Sequence, residues 1–109
     1  MRLDLLTLAI HLISLLRPLA RKIRKHDRAL HDQLKRAGSS VPLNIGEATR
    51  FRDGNQRQRL ETAAGSANET LVILEVAVGW GYLEGTEIKE AAEVIDRLQA
   101  MNYRVRNGA

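Results

Sequence analysis

The sequence predicts an all-α protein, an antiparallel up-down-up-down four-helix bundle. Three observations carry that prediction. Leu, Ala, Glu and Arg are frequent, only two prolines occur, and no segment alternates Val, Thr or Tyr as a strand would. Apolar residues recur at three- and four-residue spacing in four successive stretches. The connections between those stretches are short, which sets consecutive helices side by side. The 109 residues make one domain, 1–109. A chain of this size hides a little over ~60% of its unfolded surface, enough for one core without staples.

The first helix is expected over about 4–24. Ten of the fourteen residues from Leu3 to Leu16 are apolar, and they form two stripes. One is Leu3, Leu6, Ile10, Ile13 and Leu16; the other is Leu5, Leu8, Leu12, Leu15 and Leu19. One stripe serves a bundle core, and the second implies a further contact outside the monomer. His11 falls in the apolar run and is expected to be packed. Pro18 should kink the helix or end its first half, because it removes a backbone donor and its ring crowds the preceding turn. Leu5–Leu16 is uncharged over twelve residues, too few for the about 20 of a membrane span. Asp4 and Arg17-Pro18-Leu19 do not fit an export signal, so a cytoplasmic protein is expected.

The second helix is expected over about 27–49, with Asp27 as its N-cap. Leu30, Leu34, Ala37, Val41, Ile45 and Ala48 form its apolar face, and Pro42 should kink it. Asp53-Gly54 marks the next turn. The third helix, about 55–84, carries a seam of Leu60, Ala64, Ala67, Leu71, Leu74, Val78 and Gly81 at alternating spacing. Glu84-Gly85 should end it, and Thr86 should cap a fourth helix over about 86–102. That helix uses Ile88, Ala91, Ile95, Leu98 and Met101, with Glu87, Glu90 and Glu93 as a solvated outer row. Asn102 to Ala109 reads as a short, basic, frayed tail.

Charge is divided along the chain. Residues 17–59 hold twelve Arg/Lys against four acids, a formal +8, whereas residues 60–96 hold eight acids against Lys89, a formal −7. One reading pairs the basic and acidic halves within the chain or between subunits. The other is an exposed surface for phosphates. Its candidate nucleic-acid-binding residues are Arg17, Arg21, Arg24 and Arg28, spaced along one helical line, and Arg50, Arg52, Arg57 and Arg59 around the connection before the third helix. Aromatics number only four, Phe51, Trp80, Tyr82 and Tyr103, too few for an RNA-recognition-motif platform, so any binding should follow charge rather than sequence.

Catalytic and metal chemistry are not encoded in any recognisable pattern. Cysteine is absent, which excludes disulfides, thiolate metal sites and a cysteine nucleophile. His26 and His31 share no helix face; Asp27 and His31 do, but two ligands make no stable metal site. No Glu-x-x-His repeat, nucleophile elbow, phosphate-binding loop or dinucleotide fingerprint appears. A non-enzymatic protein without metal or cofactor is expected.

The informative polar residues form a stripe on the second helix: Gln33, Arg36, Ser40, Asn44 and Glu47. Polar groups beside a core face need partners, and the third helix offers Ser66, Asn68 and Glu69. The favoured reading is a structural network that fixes register, Arg36 with Glu69 or Glu47 and Asn44 with Ser66. The other is a polar site facing a channel or a partner.

Gln33-x-x-Arg36-Ala37-x-x-Ser40-Val41-Pro42-x-Asn44-Ile45-x-Glu47, then Ala64-Gly65-Ser66-x-x-Glu69, then Gly81-Tyr82-Leu83, resembles the four-helix bundle family of 23S rRNA intervening-sequence proteins. The accessory variability determinant of diversity-generating retroelements looks like a relative. The motifs span about Leu30 to Leu83, half the chain. The family commonly reads Ala-Glu-Gly after Asn-Ile; here Gly46-Glu47-Ala48 exchanges the small residues. The resemblance implies a bacterial, non-enzymatic homopentamer with a central channel. The partners it implies are the chain itself, RNA or DNA, and for the retroelement relative a reverse transcriptase. Two functions stand as expectations. One is a basic accessory protein that binds the nucleic-acid backbone without strong sequence preference. The other is a structural homo-oligomer or protein-docking scaffold.

Overall fold

The computed structural model describes residues 2–50 and 55–108. Helix α1 spans Arg2–His26, α2 Arg28–Arg50, α3 Gln56–Gly79 and α4 Lys89–Arg106, with a 3₁₀ turn at Gly85–Ile88 before α4. No strand occurs among the described residues. The 25 residues of α1 span about 37 Å at ~1.5 Å per residue, so the 41 Å long axis of the molecule is the helix direction. Each of α1 and α3 packs on both α2 and α4, enclosing one core. Among the described residues, no helix is long and apolar enough to cross a membrane.

The second helix follows its pattern. Leu30, Leu34, Ala37, Val41, Ile45 and Ala48 are all buried. Asp27 is the N-cap: its Oδ1 accepts the Leu30 backbone N–H at 2.9 Å, satisfying a donor the helix cannot reach. Neither proline ends its helix; Pro18 lies inside α1 and Pro42 inside α2. Gly38, four residues before Pro42, is where α1 and α2 approach closely. A Cβ there would sit 2.9 Å from Leu16 Cδ1.

In α1 the second stripe is the core stripe: Leu5, Leu8, Leu12 and Leu19 are buried, joined by Ala9, Leu16 and Ile23. Of the first stripe, Leu6 and Ile13 are half-buried, Ile10 is 56% exposed, and the Leu3 side chain lies outside the described residues. His11 is exposed rather than packed. It shares the outer edge with Ser14, whose hydroxyl donates to the His11 carbonyl at 2.6 Å.

The α3 seam is displaced. The buried line is Leu60, Ala63, Ala67, Thr70, Leu74 and Ala77, with Ile73 beside it. Ala64, Leu71 and Val78 lie half-buried on its flank. Both lines alternate by three and four and share Leu60, Ala67 and Leu74, so spacing alone does not separate them. The buried Thr70 enters the core because its hydroxyl bonds the Ser66 carbonyl at 2.8 Å within its own helix.

The helix also ends earlier than Glu84. Gly81, assigned to the seam, adopts φ +80 and reverses the chain. The Tyr82 N–H bonds Ala77 O at 2.9 Å and the Gly81 N–H bonds Val78 O at 2.9 Å, the pairing of a Schellman turn. Thr86 is not the following cap. Glu84 is, in a capping box with Glu87, and it opens the 3₁₀ turn. The expected tail is helical as far as Arg106, and Asn102 is fully buried with its amide donating to Leu60 O at 3.0 Å.

Candidate nucleic-acid interface

The α1/α2 groove gathers unpaired cations. Arg17, Arg21 and Arg24 project from α1 at the spacing of one helix face and share the groove with Lys35 of α2. Its floor is apolar, built from Ile13, Leu16, Ala20 and Leu34, and it encloses about 480 Å³. All four cations are exposed, and among the described residues none forms an ion pair or side-chain hydrogen bond. Arg28 is off this line, because α1 stops at His26 and Asp27 starts a new helix. Arg28 and Arg24 both lie close enough to help hold the Asp32 carboxyl below its ordinary value, behind the larger effect of the His31 hydrogen bond.

The second arginine group is divided. The Arg59 guanidinium pairs with Glu47. Arg57 pairs with Glu61 at 3.4 Å and donates to the Arg106 carbonyl. The Arg50 side chain and all of Arg52 lie outside the described residues. Among the described residues, one ion pair distant in sequence joins the basic and acidic halves, Lys22 with Glu87.

The polar stripe forms a smaller network than expected. Ser66 Oγ donates to Ser40 Oγ at 2.8 Å, and the Asn44 amide donates to Ser40 Oγ at 3.0 Å and to Ser40 O at 2.9 Å. Ser40 is therefore the hub, and Asn44 reaches it rather than Ser66. Glu47 belongs to Arg59. Gln33, Arg36 and Glu69 are exposed, and Arg36 pairs with neither Glu47 nor Glu69. Arg36 lies one turn before Ser40 and lines the same open groove as Asn44 and Glu47, but the Glu47 carboxylate is taken by Arg59.

The histidines do not assemble a reactive site. The His31 ring sits 2.9 Å from Asp32 Oδ1, not on Asp27. Among the described residues, no group of three or more His, Asp or Glu is placed to hold a metal ion.

Sequence spacing did not foretell an aromatic column at one end of the bundle. His26 and Tyr82 stack with centroids 5.0 Å apart and planes at 6°, and Trp80 and Tyr82 stack at 6.5 Å and 18°. The Tyr82 hydroxyl donates to Asp27 Oδ2 at 3.3 Å. Partial burial and then the neighbouring Asp27 charge push the Tyr82 phenol above its ordinary value. His26 and Tyr82 are 56 positions apart, and only the end of α1 meeting the turn after α3 brings them together.

A family model described as 23S rRNA-intervening sequence protein matches residues 1–104. The chain belongs to that family. Neither the curated proteins nor the solved structures include a significant match to it.

Proposed function

We propose that this member of the 23S rRNA-intervening sequence protein family is a non-enzymatic, cytoplasmic accessory protein that binds RNA or DNA through the phosphate backbone. It acts as a homo-oligomer of antiparallel bundles, pentameric as the family resemblance implies. One observation carries the reading: Arg17, Arg21, Arg24 and Lys35 line one groove and form no ion pair or side-chain hydrogen bond among the described residues. Four cations so close repel one another, and a bound polyanion relieves that repulsion while releasing counterions. The antiparallel arrangement is supported by the contacts of α3 with α4, where Arg57, Leu60 and Ala64 meet Arg106, Asn102 and Gln99 in reverse order.

A salt titration of single-stranded RNA binding tests the reading. Each phosphate contact contributes a log–log slope of about −0.7 on a single strand. Replacing Arg17, Arg21 and Arg24 by Gln is expected to flatten the slope by about 2, whereas Arg57→Gln with Arg59→Gln should alter it little. Absence of binding at ~50 mM salt, or an unchanged slope in the triple variant, sinks the proposal.

The second reading, a structural homo-oligomer or protein-docking scaffold, draws on exposed apolar side chains. Ile10 and Leu43 on α1 and α2, and Val72 and Val76 on α3, are uncovered in the single chain.

A further inference from the structure

Trp80 is 70% exposed, whereas Leu83, three residues on, is buried. The Schellman turn at Gly81 produces this division by sending Leu83 inward and leaving the indole outside. The indole is not loose surface. It stacks on Tyr82, which stacks on His26, and Tyr82 is fixed by its bond to Asp27, the cap of α2. Tyr82 is the half-buried middle ring, tied to two helix termini, and the column is exposed at both ends, at His26 and at the larger indole of Trp80. A large aromatic ring held in place and left open loses little entropy when a flat partner adds to the stack.

We propose that Trp80 is a stacking platform for one unpaired base of a single-stranded nucleic acid. The proposal rests on the nucleic-acid reading above and adds a site to it. The few aromatics of this chain exclude a sheet-type platform, but stacking needs only one open ring face. Along the chain the ring is flanked by the exposed Gly79, Gly81, Glu84 and Gly85, none of which adds a large apolar side chain. Such a ring matches a single base better than an amphipathic helix. The phosphates of the same strand would follow cations rather than the ring. Lys25 precedes His26 and has no partner among the described residues, and Arg24 and Arg21 continue along α1. Lys22 is occupied by Glu87. A competing occupant is a second copy, because Val76, one turn before Trp80, is 39% exposed.

Trp80 is the only tryptophan, so its fluorescence reports this site alone. The probes are an oligouridylate of about 15 nucleotides and an abasic strand of equal length. The oligouridylate is expected to quench the emission and the abasic strand to leave it unchanged. Trp80→Ala should weaken oligouridylate binding about tenfold without changing the salt slope, and Trp80→Phe should retain most of it. Equal affinity for both strands without quenching overturns the stacking site while leaving backbone binding intact. No binding of either strand overturns both. Emission that follows protein concentration and ignores the oligouridylate assigns Trp80 to a second copy and overturns the proposal as well.

Discussion

The Tyr82 hydroxyl donates to the Asp27 carboxylate at 3.3 Å, so one side chain caps α2 and anchors the turn that ends α3. Asp27→Ala removes both contacts and is expected to cost about 1–2 kcal/mol, whereas Asp27→Asn keeps most of the cap. Tyr82→Phe removes only the second contact and should cost less. In the Asp27→Ala background it should cost almost nothing, because the acceptor is gone. Denaturant melts of the two single variants and the double variant check this; additive losses would show that the residues act independently.

Two glycines are expected to respond oppositely to a side chain. At Gly38 a Cβ already lies 2.9 Å from Leu16 Cδ1, so Gly38→Val overpacks the α1/α2 contact and should cost about 1–3 kcal/mol. At Gly65, inside α3, nothing lies within 4 Å of an added Cβ. Gly65→Ala should therefore stabilise by roughly 0.5–1 kcal/mol through helix propensity. Thermal melts compare them directly.

The Ser40 hub and the exposed Arg36 separate two ideas about the polar stripe. Ser40→Ala strands the Ser66 hydroxyl and takes one bond from Asn44, at a cost of about 1 kcal/mol. Arg36→Ala leaves no carboxylate behind and should change stability by less than about 0.5 kcal/mol. A large loss from Arg36→Ala would reinstate the ion pair that the spacing suggested.

These cases show what was legible in the sequence. The α2 face was readable because its six apolar residues define one line without a competing set. The α3 seam was misplaced because Ala64, Leu71 and Val78 are as apolar as the buried line, which contains Thr70 and three alanines. Only the position of α2 and α4 decides between them. Spacing put Arg17, Arg21 and Arg24 on one face of α1 but ran the line on to Arg28 across the helix break, and Lys35 joins them only through folding. Gly81 carried a helix-end signal that the regular spacing masked, and with it went the aromatic column.

Acid should remove one contribution selectively. The Glu84 backbone N–H and then Lys22 hold the Glu87 carboxyl below its ordinary value of 4.5. A depressed carboxyl stabilises the fold above its unfolded pKa and loses that effect as pH falls through the folded value. Glu87→Gln should melt below the parent at neutral pH, and the gap should close as pH drops below 4.5. A gap that stays constant into acid would show that charge is not its source.

The last prediction concerns how copies of the chain meet. The α1/α2 groove is basic and exposes Ile10; beside it on α2, Leu43 is 65% exposed. On α3, Val72 and Val76 are uncovered, and Glu69 and Glu75 are exposed carboxylates on the same helix. The two surfaces are unlike each other and opposite in charge, so neither is suited to meet itself. The apolar edge at Ile10 and Leu43 against the Val72–Val76 ridge is a heterologous contact that leaves Arg17, Arg21 and Arg24 open to phosphate; it repeats head to tail and makes a ring when its rotation closes. Light scattering should therefore return a multiple of 12.2 kDa for the parent. Ile10→Asp spoils the groove and Val72→Asp spoils the ridge, and each variant alone should be monomeric while remaining helical. Mixing the two leaves one intact groove and one intact ridge, so the mixture should form a dimer and stop there. A symmetric interface would instead show no rescue on mixing, since both copies would carry a damaged half. A parent that scatters as a single 12.2 kDa chain would remove the oligomer altogether.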